Sequence, residues 1–219
     1  MSVPNFRDRL PEEIIGREYL DDSAWHIYAA LSWLDYVQRK NAPIALHYSA
    51  FHLRYGIEHL WFEMFFAARG GQLSAEDYKK AVKQGTTLYK LIDSLAPHYK
   101  KFAEFIGIIR EIDPHPPPPM TVWNIGRLKR IHGECGNLLL HFQGVQETGY
   151  LQEAWIADRL GFLGVSAEWI WSEMTSTGRI VLYRPDDLNK PDVFDIWEDF
   201  RDGKIDADSA RLRLKIIEK

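Results

Sequence analysis

A chain of 219 residues with 46% hydrophobic side chains is long enough for one domain, or one domain with an appendage, around a core rich in large flat side chains (8 Trp, 10 Tyr and 11 Phe). The net charge of −4 excludes global attraction to nucleic acid, so any such binding requires a local basic patch. The single cysteine, Cys135, excludes an internal disulfide, and no apolar run reaches the ~18 residues of a membrane span. Together with the polar start MSVPNFRDRLPEE, these features give the expectation of a cytoplasmic protein without membrane contact.

Residues 1–22 read as an N-terminal arm or short helix. Residues 23–40 (SAWHIYAALSWLDYVQRK) read as a helix, with Ser23 as its N-cap and Ile27, Leu31, Leu34 and Gln38 on one face; Asn41–Pro43 breaks it. Residues 44–69 form the longest apolar helix, stopped by Gly70–Gly71. One of its stripes holds Leu46, Ala50, Leu53, Ile57, Leu60, Trp61 and Met64. A second, nearly opposite, holds Phe51, Tyr55, Phe62 and Phe66, which predicts a central helix covered on both sides. A helix follows over roughly 75–95, and Pro97 opens another that runs to about Ile112. The proline run 114–119 (PHPPPP) is a stiff connector or a docking site for a partner.

Two more long helices are expected at 121–143 and 150–177, parted by a turn at Gly144–Gly149. After Gly178 the pattern changes. RIVLYRP (179–185) is strand-like, 191–202 is helical, and ARLRLKII (210–217) alternates as a strand does, with a plain helix over 207–218 as the alternative. The fold class is therefore all-α, a bundle of about six helices over 23–177 with a small C-terminal α/β appendage over 178–219. The stretch 76–132 carries an excess of basic groups and 133–219 an excess of acidic ones.

Among sequence motifs, Glu-x-x-His, HExxH, paired CxxC, GxxxxGK[ST], GxGxxG and GxSxG are all missing. What remains is an arginine, four residues, then a histidine: Arg127–His132 (RLKRIH), Arg54–His59 (RYGIEH), and Arg110–His115, which runs out of its helix across Pro114. An obligate cation beside a group that titrates near neutrality is a minimal kit for handling phosphate esters. On helix 121–143 the core stripe is Leu128, Ile131, Cys135, Leu138, Leu139 and Phe142, with Arg127 and His132 on opposite shoulders of it, about 140° apart. Arg130 and Glu134 are spaced as an i,i+4 surface ion pair. On helix 44–69, Arg54 has Glu58 one turn on and His59 has Glu63. His52, His59 and Glu63 share a polar stripe, which reads either as buried side chains held by Glu or as a metal site.

A helical bundle with Arg-x4-His near the start of a late helix resembles the HEPN superfamily, and the stretches RIHGECGNLLLH (130–141) and LRYGIEHLWFEMF (53–65) share that look. The motif of that family commonly has a polar residue after the arginine, whereas Leu128 follows Arg127 and Tyr55 follows Arg54. The resemblance implies a metal-independent endoribonuclease of a toxin or antiviral defence system, needing no cofactor and working as a homodimer. The 2′-hydroxyl of RNA would attack the adjacent phosphate. His132 would move a proton, worth roughly 10²–10⁴-fold, and Arg127 would neutralise charge on phosphorus. Lys129, Arg130, Lys100 and Lys101 would bind the RNA, and Arg54 and His59 would support the site from behind.

Two other readings stay open. One is an HEPN-like binding, scaffold or antitoxin module without catalysis, docking protein partners through the acidic tail. The other is a bundle holding a small ligand or metal at His52, His59 and Glu63.

Overall fold

In the computed structural model of the chain the described residues are 4–15, 22–68, 76, 85–114, 116, 119–140, 149–176 and 190–217; for 67–68, 85–97, 139–140 and 149–152 only the backbone is described. Among the described residues there are eight helices and no strand: α1 (Pro11–Ile15), α2 (Ser23–Lys40), α3 (Ala45–Ala68), α4 (Gly85–Ile112), α5 (Ile125–Leu140), α6 (Gly149–Thr175), α7 (Pro191–Arg201) and α8 (Ala207–Ile217). No helix among them is long and apolar enough to cross a membrane. The chain divides into two compact units, Met1–Leu60 with Trp123–Ser176, and Trp61–Val122 with Thr177–Lys219.

The first unit is built around α2. Its start is set by Asp22, not Ser23: the Asp22 carboxylate accepts from the Trp25 backbone N–H at 2.7 Å, satisfying a donor that the helix itself leaves unpaired. Its end is set by Asn41, whose left-handed φ of 49° lets its N–H return to the Val37 carbonyl. Between the caps Ile27, Ala30, Leu31, Trp33, Leu34 and Val37 are buried, while Gln38 is exposed. α2 packs on α6 and on α1.

The arm at 4–15 is tied down at several points. Ile14 is buried, Arg9 stacks 4.4 Å over the Tyr28 ring and donates to Ser32 Oγ and to the Glu13 carbonyl, and the Tyr28 hydroxyl donates to the Asn5 carbonyl. Gly56 of α3 faces Ile27, and a Cβ there would come 2.7 Å from Ile27 Cδ1, so the glycine is what lets the two helices approach this closely.

The inner stripe of α3 is as expected, with Leu46, Ala50, Leu53, Ile57, Leu60, Trp61 and Met64 all buried. The second stripe departs from expectation. Phe62 and Phe66 are half-buried, but Phe51 and Tyr55 are exposed, so α3 is not covered on both sides along its first half.

In the second unit Trp197 of α7 is fully buried against Phe102 and Phe105 of α4, with ring centroids 5.2 and 5.4 Å apart. Charged pairs rim this core: Arg211 with Glu111, and Arg213 with Asp199. α4 runs unbroken through Pro97, where a new helix was expected to open; the lost N–H removes one intrahelical bond without ending the helix.

The strand expected at 210–217 of the C-terminal appendage is not what forms. Residues 210–217 are helical, as in the alternative reading, because two signals outweigh the alternation. Asp206 caps the helix by accepting from the Ser209 N–H at 2.8 Å, and Ala210 and Leu214, four apart, bury one face. The strand expected at 179–185 lies outside the described residues, as do helix 75–95 before Gly85, apart from Glu76, and the turn at 144–148.

Truncating Trp197 to Ala is expected to cost about 3–5 kcal/mol, the range for losing a buried large aromatic. Denaturant unfolding followed by far-UV circular dichroism reads that loss directly.

Candidate functional site

α5 begins at Ile125, not 121, because Asn124 is its N-cap: Asn124 Oδ1 accepts from the Arg127 N–H at 2.9 Å. That cap fixes the phase of the helix. Leu128, Ile131, Cys135 and Leu138 are buried, as the core stripe requires; the side chains of Leu139 and Phe142 lie outside the described residues. Burial pushes the Cys135 thiol up to about 12, which makes it an unreactive core group.

His132 is not on a shoulder open to a cleft. It is only 4% exposed, and its Nε2 lies 2.6 Å from Glu58 Oε1 on α3 of the same chain. An ionised carboxylate can only accept, so Nε2 carries the hydrogen in that bond. The same Glu58 oxygen accepts from Arg54 Nε at 3.1 Å. Burial alone would raise the Glu58 carboxyl, but the hydrogen bonds and charge of His132 and Arg54 outweigh it and hold the group below its ordinary value. Gly136 faces the arrangement: a Cβ there would sit 2.8 Å from Arg54 Nη1, so a side chain at 136 would make the guanidinium shift.

Arg127 is engaged elsewhere. Its guanidinium stacks 3.9 Å over the ring of Trp169 on α6, and Trp169 in turn meets Trp123 edge to face at 6.0 Å. Arg127 and Arg130 line an open depression of about 420 Å³ with Asp158, Phe162, Val165 and Ser166. The two members of the Arg-x4-His motif are thus held by different helices, His132 by α3 and Arg127 by α6.

The expected Arg130–Glu134 pair is replaced: the Glu134 carboxylate takes Arg159 Nη1 of α6 at 3.3 Å. Of the expected RNA-binding lysines, Lys129 is partly buried and Lys100 is exposed. Lys101 donates to the Phe200 and Arg201 carbonyls at 3.3 and 2.9 Å, closing the C-terminus of α7.

The remaining candidates form a cluster that the sequence showed only in part. His52 and His59 of α3 meet His26 of α2. His26 Nδ1 and His52 Nδ1 are 3.0 Å apart, and the His26 and His59 rings stack with centroids 5.1 Å apart. Trp25 closes on His26 and His52 edgewise. Glu63, one turn beyond His59, is partly buried. Among the described residues no group of three or more His, Cys, Asp or Glu side chains is placed to hold a metal ion.

A 3.0 Å contact between two ring nitrogens requires one to donate and the other to accept, so a proton added to the acceptor breaks it. Burial, then the neighbouring His26, lowers the His52 pKa from 6.5 to about 4. The folded value lies below the unfolded one, so His52 is neutral in the native protein and stability is lost as pH falls from 6.5 toward 4. Between pH 7 and pH 5 the loss is expected to be about 2 kcal/mol. The His52→Gln variant, measured by urea unfolding across that range, is expected to remove most of that slope.

Comparison with known protein families, curated proteins and solved structures gives no match for this chain.

Proposed function

We propose that this chain is an HEPN-like helical module that acts by binding partners and does not cut RNA. The observation that supports this reading is the position of His132, buried on α5 and hydrogen-bonded through Nε2 to Glu58 of its own chain. A general acid or base must reach the proton it transfers. Here the imidazole joins α3 to α5, sharing one carboxylate oxygen with Arg54. The apolar neighbour Leu128, where the HEPN motif commonly has a polar residue, is fully buried and belongs to the core.

The competing reading is the metal-independent endoribonuclease of a toxin or antiviral system. It rests on Arg127, which lines a depression together with Arg130 and Ser166 and offers an anion a fixed guanidinium. The histidine it would need for proton transfer, His132, is hydrogen-bonded to Glu58 on α3 instead.

Incubation of the purified protein with labelled tRNA and mRNA in EDTA separates the two. No cleavage is expected. His132→Ala is expected to lose about 2 kcal/mol of unfolding free energy, the scale of a hydrogen bond to a charged group at a partly shielded carboxylate, while Arg127→Ala is expected to shift stability by under about 1 kcal/mol. Cleavage by the wild type that both Arg127→Ala and a still-folded His132→Ala abolish would overturn the reading in favour of the nuclease.

A further inference from the structure

The depression lined by Arg127 and Arg130 is built from two helices of the first unit. α5 carries the two arginines three positions apart, a spacing that sets both on one side of the helix. α6 supplies the rest. Phe162 and Val165 are its apolar part, Ser166 adds a hydroxyl, and Gly161 leaves open space, with nothing within 4 Å of a Cβ added there. The volume of about 420 Å³ falls in the ~300–1,000 Å³ range of small-molecule sites.

The fold leaves three polar groups of this depression without partners. Glu134, one turn on from Arg130, takes Arg159 at 3.3 Å instead. Arg127 lies 3.9 Å over the Trp169 ring, which fixes its guanidinium without neutralising it. Among the described residues neither arginine pairs with a carboxylate, whereas Arg39, Arg54, Arg201, Arg211 and Arg213 each do. Ser166 is only 4% exposed, yet among the described residues its hydroxyl makes no hydrogen bond. Ser172 and Thr175, further along α6, return theirs to the carbonyls of Trp169 and Trp171 in the ordinary helical way. A shielded hydroxyl left unpaired beside two unneutralised cations is unfavourable in the empty protein and favourable once an acceptor arrives.

We propose that this depression binds a small organic monocarboxylate with a flat apolar body. Its carboxylate sits between Arg127 and Arg130 and accepts from Ser166, and its body covers Phe162 and Val165. Charge and shape select that class. A carboxylate is planar and matches the donor edge of a guanidinium in pairs of hydrogen bonds. Asp158 also lines the depression and lies 3.4 Å from Arg159 Nε, so a ligand of higher negative charge meets a carboxylate of the protein. A nucleic-acid strand needs a cation for each successive phosphate, and here two cations stand against an apolar wall. Val165, 63% exposed, is the part of that wall an apolar body would cover. The proposal goes beyond the partner-binding reading and does not rest on it: RNA cleavage bears on that reading alone, and carboxylate binding on this one.

Titration of the ¹⁵N-labelled full chain with 2-naphthoate, followed by ¹H–¹⁵N correlation spectra of the backbone and arginine Nε–H groups, tests it. Saturable shifts are expected at Arg127, Arg130, Gly161 and Ser166, with a Kd on the order of 1 mM or tighter. 2-Naphthamide, which keeps the body without the charge, and acetate, which keeps the charge without the body, are each expected to bind at least ~10-fold more weakly. Arg130→Gln, at an exposed position, is expected to weaken 2-naphthoate about 10-fold with unchanged far-UV circular dichroism. Ser166→Ala is expected to weaken it several-fold without lowering the melting temperature of the unligated protein. Lys100→Gln, an exposed cation of the second unit, is expected to leave binding as in the wild type. Shifts that do not saturate, equal binding of 2-naphthamide, or an affinity untouched by both Arg130→Gln and Ser166→Ala overturn the proposal. So does inorganic phosphate that displaces 2-naphthoate at a lower concentration than 2-naphthoate itself requires, which makes the depression a phosphate site.

Discussion

Glu58 accepts from two cationic or potentially cationic groups through a single oxygen, and the position of α5 against α3 depends on that choice. Its carboxylate is partly shielded, yet stays ionised because Arg54 and His132 both point at it. The interaction constrains its neighbours in turn. The Arg54 guanidinium lies beside Gly136, where a Cβ would make it shift, and Leu128, Ile131 and Cys135 of α5 are buried as His132 is. Removing one member takes a charge-assisted hydrogen bond from the others, and the loss falls hardest where His132, the one buried member of the three, is involved.

The same arrangement explains why an Arg-x4-His spacing need not imply catalysis. At 100° per residue the two side chains diverge around the helix, and in this unit each finds a separate neighbour. His132 turns to α3 and Arg127 turns to Trp169 on α6. A surface guanidinium lying flat on an indole remains able to meet an anion, but the proton-transfer partner that would make a reaction of that encounter is engaged in the interior.

The sequence revealed the helices through their periodicity. The inner stripe of α3 and, of the expected α5 core stripe, Leu128, Ile131, Cys135 and Leu138 are buried because a period of 3.6 is imposed by burial on one side. Local pattern was less informative where two signals competed. ARLRLKII alternates like a strand, but its Ala210–Leu214 spacing and the Asp206 cap decide for a helix. Asp22 and Asn124 are short polar residues just before their helices, legible in principle as caps but not distinguishable from nearby candidates such as Ser23. The site was legible only as isolated pairs. Arg54–Glu58 is an i,i+4 contact and could be read, whereas His132–Glu58 spans 74 positions, and His26 joins His52 from another helix. Contacts of that range are set by packing, which no spacing rule encodes.

The His132 imidazole acts as a buried structural donor. Long-range ¹H–¹⁵N NMR of the imidazole side chains tests it most directly. The expected result is a His132 Nε2–H resonance in slow exchange with water, lost or moved in Glu58→Gln while the protein stays folded. A His132 ring proton that exchanges as fast as that of a solvent-exposed imidazole, and is indifferent to Glu58→Gln, would contradict it.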